Sequence, residues 1–65
     1  MNWQQLEGKW DQYKGEIRNR WGKLTDDDLL QAQGRRDALI GRIKERYGQA
    51  KEDVEREVDR FIDKL

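Results

Sequence analysis

Residues 34–48 read GRRDALIGRIKERYG, and a related stretch, GKWDQYKGEIRNRWG, lies 26 positions earlier at residues 8–22. Six of the fifteen paired positions are identical, and three of the identities are the pairs Gly8/Gly34, Gly15/Gly41 and Gly22/Gly48. These are all the glycines of the chain. Such a fixed spacing is typical of a repeated supersecondary unit. The sequence therefore predicts two copies of one unit, each a helix, a glycine turn and a second helix.

The apolar residues of the first copy predict a helix over residues 3–21. They recur three or four positions apart, as on one face of an α-helix: Trp3, Leu6, Trp10, Tyr13, Ile17 and Trp21. Asn2 is expected to cap this helix, and Gly22 to end it in the left-handed conformation. Gly8 and Gly15 lie inside it, where each costs about 1 kcal/mol relative to alanine. We expect another backbone to cross closely at these two glycines.

A second helix is predicted over residues 26–33, because the stretch before it is a strong helix start. Thr25 is expected to cap the helix. The Asp28 side chain is expected to accept a hydrogen bond from the Thr25 backbone, which completes a capping box, and Leu24 is expected to pack on Leu29. The run of three aspartates also suits the positive end of the helix dipole. A calcium loop needs spaced oxygen ligands and a glycine turn, which this run lacks. We therefore interpret it as a helix start and predict no metal site.

The second copy predicts helices over residues 35–47 and 50–63. Their apolar positions again follow a helical period: Leu39, Ile40, Ile43 and Tyr47, then Ala50, Val54, Val58, Phe61, Ile62 and Leu65. Gly48 is expected to end the third helix in the left-handed conformation. Gly41 is expected to face a neighbouring backbone, so that Gly41→Leu would destabilise the protein by overpacking.

These elements predict an all-α fold in a single domain spanning residues 1–65. It consists of four helices arranged as two helical hairpins, at about residues 3–33 and 35–63, which pack together as a small helical bundle. No stretch has the alternating pattern of a β-strand. The six aromatic residues recur periodically, which favours a folded domain over a disordered chain despite the mean hydropathy of −1.32.

The composition narrows the classes of function. The chain contains no cysteine or histidine, which removes the usual zinc ligands, and no nucleophile–base pair or phosphate-binding loop is evident. No apolar run approaches the roughly 18 residues that a membrane span requires. The first residues also lack the pattern of a secretory signal. We therefore predict a cytoplasmic protein that is not an enzyme, has no cofactor or catalytic residue, and does not bind a membrane.

Charge alternates along the chain although the total is zero. Residues 1–24 carry a net charge of +2, residues 25–34 carry −3, residues 35–48 carry +3 and residues 49–65 carry −2. Each basic helix is therefore followed by an acidic one. The simplest interpretation is that the basic residues of the first and third helices pair with the carboxylates of the second and fourth.

A candidate interaction surface nevertheless follows from the basic third helix. It comprises Arg35, Arg36, Arg42 and Lys44, with Trp3 as a further candidate because it lies in a first turn that is expected to fray. The other tryptophans have the spacing of core residues. In the alternative hypothesis, the four basic side chains contact phosphates and the protein is a weak nucleic-acid binder that uses the first and third helices.

Several motifs resemble the CsbD-like family of small bacterial proteins. They are GKW, KG and WGKLTDDDL in the first half, and G.RD.L.G.I.ERYG followed by KE..E.EVD.F in the second. The resemblance covers nearly the whole chain. It implies two orthogonally packed hairpins akin to SAM domains and a role in the general stress response, and it supplies no catalytic residue, cofactor or established partner. We expect a monomeric protective or protein-interaction module whose protein partner is unknown.

Overall fold

The computed structural model describes residues 2–65, which form five α-helices and no strand. In chain order these are α1 (Trp3–Gly8), α2 (Trp10–Arg20), α3 (Asp26–Ala32), α4 (Arg36–Tyr47) and α5 (Lys51–Lys64). The all-α class is confirmed, and the predicted number of four helices is wrong by one. None of the helices in residues 2–65 combines the length and the apolar character needed to cross a bilayer.

The additional helix arises because the predicted helix over residues 3–21 is broken at Lys9, directly after Gly8. Lys9 has φ −118° and ψ 26°, and its N–H bonds back to the carbonyls of Leu6 and Glu7, which closes α1. Glycine is a poor helix former, so an interruption costs little at this point. The break also allows α1 to lie over the α3–α4 connection, where Glu7 sits directly against Gly34.

The predicted caps at the starts of α1 and α3 are confirmed. Asn2 Oδ1 accepts a hydrogen bond from Gln5 N at 2.8 Å, and Asn2 N donates to Gln5 Oε1 at 3.1 Å. Thr25 Oγ1 accepts from Asp28 N at 3.1 Å, and Thr25 N donates to Asp28 Oδ2 at 3.0 Å. Each box satisfies N–H groups that have no partner within the helix. Both starts could be predicted because the interacting residues are only three positions apart.

The helix ends were predicted less well than the starts. Gly48 has φ +65° and ends α4 in the left-handed conformation, as expected. Gly22 does not have a positive φ, because α2 already ends at Trp21, with φ −124°. Gln33 ends α3 with φ +45°, followed by Gly34 at φ +81°. This connection therefore contains two successive left-handed residues, which turn the chain sharply between α3 and α4.

The core draws on all five helices and on the loop after α2. α4 packs against both α3 and α5 and so forms the middle of the structure. Leu30 of α3 is 63% exposed and lies outside the core. The buried apolar residues are Leu6, Ile17, Trp21, Leu24, Leu29, Ala32, Leu39, Ile40, Ile43, Val54, Val58 and Ile62. The division into two orthogonal hairpins stays a prediction.

The close backbone approach occurs at a different glycine from the ones predicted. A Cβ atom built on Gly8, Gly15 or Gly41 would have no neighbour within 4 Å, so the predicted crossings at these positions are wrong. A Cβ on Gly34 would lie 2.9 Å from the Cα of Glu7. Gly41 is exposed while Ile40 and Ile43 are buried, so it lies on the outer side of α4. The spacing of the repeat identified the glycines as unusual. It did not show which of them lies against another part of the backbone.

Open space around Gly41 reverses the predicted effect of substituting it. We expect Gly41→Ala to stabilise the protein by about 0.5–1 kcal/mol, because alanine has the higher helix propensity and nothing opposes its methyl group. Gly15→Ala in α2 should behave in the same way. Urea unfolding of both variants checks this. A loss of stability in Gly41→Ala would show that its outer face is packed after all.

Candidate functional site

The four predicted basic site residues all belong to α4 or to its N-cap. Arg35 is the N-cap, and Arg36, Arg42 and Lys44 follow within the helix. The helix lies between two acidic elements, α3 and α5, because it packs against both of them. This placement brings carboxylates close to most of the basic side chains.

Arg36 is neutralised by α5. Its Nε donates to Asp59 Oδ1 at 3.2 Å and its Nη2 donates to Asp59 Oδ2 at 3.1 Å. The same Nη2 lies 3.6 Å from Glu55 Oε2. A two-bond fork of this kind fixes the guanidinium plane. Its Nε and Nη2 donors are therefore directed at α5.

The opposite side of α4 faces a buried carboxylate. Asp28, at the start of α3, is 1% exposed. Arg46 Nε donates to Asp28 Oδ2 at 2.9 Å, and Arg46 Nη2 donates to Asp28 Oδ1 at 3.2 Å. Arg42 Nη1 lies 3.6 Å from Asp28 Oδ1, and Arg42 also donates to Gln31. One aspartate thus holds two arginines of the predicted basic helix.

These bonds stabilise the charged form of Asp28. The hydrogen bond from Arg46, followed by that from the Thr25 backbone, lowers the pKa of Asp28 from 3.8 to about 2, against the opposing effect of burial. The pKa of Arg46 is raised in return by its hydrogen bond to Asp28. Within the part of the chain that the structure describes, Asp28 is the one charged residue in the core. It is ionised and fully engaged at neutral pH.

Arg35 and Lys44 differ from their neighbours on α4. Both are exposed, and neither forms an ion pair with any residue from 2 to 65. Lys44 lies on the rim of a groove of about 340 Å³ between α4 and α5, which Gly41 and Lys51 also line. The structure therefore splits the predicted basic surface. Two of its members are bound to carboxylates and two are accessible.

Trp3 does not have the exposed position expected of it. It is half-buried and packs against the core, and its Nε1 is buried with no hydrogen-bond acceptor among residues 2–65. Trp10 is also half-buried, and its Nε1 donates to the carbonyl of Leu29 at 3.1 Å. Trp21 is 1% exposed. The tryptophans therefore contribute mainly to packing, as their helical spacing indicated.

Two of the motifs noted in the sequence, WGKLTDDDL and ERYG, meet in space. Besides the fork between Asp28 and Arg46, Lys23 N donates to Tyr47 Oη at 3.2 Å. The Lys23 ammonium also lies 5.0 Å from the centre of the Tyr47 ring, close enough for a cation–π interaction. These contacts join the start of α3 to the last turn of α4. The polar residues of both motifs thus hold the fold together.

The first basic helix pairs with acidic elements in the same way as α4. Arg18 Nη1 lies 2.6 Å from Asp26 Oδ1 of α3, and Arg20 Nη2 lies 3.8 Å from Glu57 Oε2 of α5. Every cross-helix ion pair within residues 2–65 therefore joins α2 or α4 to α3 or α5. The alternation of charge along the sequence anticipated this pairing. It did not identify the partners, because they are 8 to 37 positions apart.

Sequence reasoning missed the pair of Asp28 and Arg46 as a unit. Asp28 was interpreted only as part of a cap, and Arg46 was one of several basic residues of its helix. The one signal in the sequence was that Asp28 lies in WGKLTDDDL and Arg46 in ERYG, two of the motifs that resemble the CsbD-like family. A pair 18 residues apart has no local pattern that would link its members.

Comparison with known proteins finds one family model and several similar bacterial proteins. The CsbD-like family model matches residues 4–56. A UPF0337 protein of Pectobacterium atrosepticum is 54% identical over 63 residues, which cover 97% of this chain and 91% of that protein. A UPF0337 protein of Pseudomonas aeruginosa is 51% identical over 65 residues, with both chains fully covered. The UPF0337 protein YjbJ of Escherichia coli K12 is 50% identical over 58 residues, which cover 89% and 84% of the two chains. No solved structure matches.

Proposed function

Since this chain belongs to the CsbD-like family, we propose that it is a small bacterial stress-response protein that acts without catalysis, through contacts of its folded surface with other proteins. The observation that carries the proposal is the use of the family motifs as structural ties. Asp28 of WGKLTDDDL and Arg46 of ERYG bind each other in the interior. Residues that hold the fold in this way are not available to act on a substrate.

The electrostatics of Asp28 support a non-catalytic role. A carboxylate that serves as a general acid or base near neutral pH needs a raised pKa and access to a substrate. Asp28 has a pKa lowered to about 2 and is 1% exposed. Its oxygens accept bonds from Thr25 and Arg46. The charged group with the most distinctive environment is therefore suited to stabilising the fold.

The distribution of surface charge supports protein partners over polyanions. The arginines of α2 and α4 face carboxylates of α3 and α5, and the net charge of the whole chain is zero. Such a surface exerts little long-range attraction on nucleic acid. We place the protein in the cytoplasm as a monomer, with the SAM-like arrangement of hairpins that the family implies.

A protection assay tests the role of the folded surface. The protein is added to a heat-labile enzyme, and aggregation is followed by light scattering during heating below the unfolding temperature of the protein. We expect the folded protein to reduce aggregation at near-stoichiometric ratios. The variant Gly34→Ala, which is expected to be largely unfolded, should protect less than Gly48→Ala, which should stay folded. Equal protection by both variants would assign the effect to the polar chain and not to its folded surface.

Nucleic-acid binding is the outcome that would contradict this proposal most directly. A fluorescent DNA duplex and a single strand are titrated with the protein over a series of salt concentrations, since phosphate contacts lose affinity steeply as salt rises. We expect no detectable binding at physiological salt. Micromolar binding that disappears in a folded charge-reversal variant of Arg35, Arg36 and Arg42 would show that α4 binds nucleic acid.

A further inference from the structure

A small groove at the end of α2 contains more cations than its single carboxylate can pair with. It has a volume of about 250 Å³ and lies between α2 and the last turns of α5. Three of its five lining residues are cationic and one is acidic: Arg20, Arg60 and Lys64, with Glu57 and the ring of Phe61. Arg60 and Lys64 form no ion pair with any residue from 2 to 65. The groove thus carries a local excess of positive charge.

Arg20 stacks over Trp21 and is only weakly paired with Glu57. Its guanidinium lies 5.0 Å from the centre of the Trp21 ring, which favours one orientation of the side chain. Its contact with Glu57 is 3.8 Å, longer than a hydrogen bond. Arg46, by contrast, donates two bonds to Asp28 at 2.9 and 3.2 Å. The donors of Arg20 therefore remain available to a ligand in the groove.

The positions of Arg60 and Lys64 strengthen the argument. They are four residues apart on α5 and so lie on the same face, where like charges destabilise a helix by a few tenths of a kcal/mol. α5 belongs to a segment with a net charge of −2, so carboxylates were available for pairing. These two cations instead line the same groove as Arg20 of α2. An anion in the groove would relieve the repulsion.

We propose that this groove binds a small phosphate monoester. Arg20 and Arg60 present planar guanidinium groups that match phosphate oxygens, and Lys64 adds a third positive charge. Phe61 is half-buried and forms an apolar wall against which the organic part of the ester packs. This site is separate from α4 and does not depend on the proposed contacts with other proteins.

The neighbouring Trp21 provides a specific reporter for the site. Its ring packs edge-on against Phe61, with ring centres 5.2 Å apart, and beneath the guanidinium of Arg20. Its Nε1–H has no acceptor among residues 2–65, whereas the Nε1–H of Trp10 is bonded to Leu29. In a nitrogen–proton correlation spectrum, the indole signals of these two tryptophans therefore distinguish ligand binding in the groove from a change that affects the whole protein.

The experiment is a titration of the isotope-labelled protein at constant ionic strength, with phenyl phosphate in one arm and inorganic phosphate in the other. We expect saturable shifts of the Trp21 indole signal while that of Trp10 stays unchanged, with phenyl phosphate binding several-fold more tightly. If the Trp21 signal showed no saturable shift, the proposal of a phosphate site in this groove would be wrong. Equal affinity for both ligands would overturn the role of Phe61 and the assignment of a monoester.

Matched variants test whether the residues that line the groove bind the phosphate. Arg60→Ala/Lys64→Ala should weaken binding of phenyl phosphate by about tenfold, because it removes charged donors. Arg35→Ala/Lys44→Ala changes the net charge equally at exposed, unpaired residues on α4 and should leave affinity unchanged. Glu57→Gln should tighten binding a few-fold, which gives a second readout if the first variant does not fold. Equal losses in the two double variants would show that binding depends only on overall charge, and no gain in Glu57→Gln would show that the anion does not bind beside Glu57 in this groove.

Discussion

Gly34→Ala is expected to destabilise the protein by about 2–4 kcal/mol and to leave much of it unfolded at room temperature. The backbone at Gly34 has φ +81°, which costs a residue with a side chain about 1–2 kcal/mol. The new Cβ would also lie 2.9 Å from the Cα of Glu7, so α1 must move away. A domain of this size has a total stability of only a few kcal/mol. Urea unfolding followed by circular dichroism measures the loss.

Gly48→Ala is the matched control for this prediction. Gly48 also has a positive φ, of +65°, but nothing lies within 4 Å of the position that its Cβ would occupy. Only the conformational cost remains, and we expect a loss of about 1 kcal/mol. If the two variants lost equal stability, the close contact with α1 would contribute nothing. The difference between them measures the cost of displacing α1 from the α3–α4 connection.

The second large effect is expected at the pair of Asp28 and Arg46. Arg46→Met should destabilise the protein by about 2–3 kcal/mol at neutral pH, because it leaves a buried carboxylate with only the more distant Arg42 to offset its charge. Asp28→Asn should cost less, about 1–2 kcal/mol. The Arg46 side chain is 42% exposed, so water can solvate it once its partner is gone. The two single variants are compared by urea unfolding.

The double variant decides whether the two residues act as a unit. Asp28→Asn/Arg46→Met leaves no charge without a partner in the interior, so its loss should be smaller than the sum of the two single losses. We expect a coupling of about 1–2 kcal/mol. Strictly additive losses would mean that Asp28 acts only as a cap for α3 and that the fork to Arg46 has no energetic role.

The same pair gives a defined dependence of stability on pH. The pKa of Asp28 is about 2 in the folded protein and 3.8 when unperturbed, so the folded state favours the ionised form. Its contribution is complete above the unfolded value and is lost as the pH falls through the folded one. We expect this loss to be about 1–2 kcal/mol, reduced by hydration of the partly exposed arginines. Asp28→Asn should lack this part of the acid dependence in parallel unfolding experiments.

Local patterns in the sequence were sufficient for the all-α class and for the starts of α1 and α3. The caps at Asn2 and Thr25 involve side chains and backbone groups three residues apart, and the left-handed end at Gly48 follows from glycine's freedom at positive φ. The family could also be inferred from sequence, since its motifs lie in continuous stretches. Alternating charge along the chain correctly indicated that basic helices pair with acidic ones.

Tertiary structure alone decided which residues that are far apart in the sequence contact each other. Gly8 and Gly34 occupy equivalent positions in the repeat, yet another backbone approaches only Gly34, because the chain breaks at Lys9 and Glu7 of α1 lies against Gly34. Asp28 and Arg46 form a buried fork because α3 and α4 pack together and bring residues 18 positions apart into contact. Spacing along a helix determines which face a residue occupies, but only packing determines what that face meets.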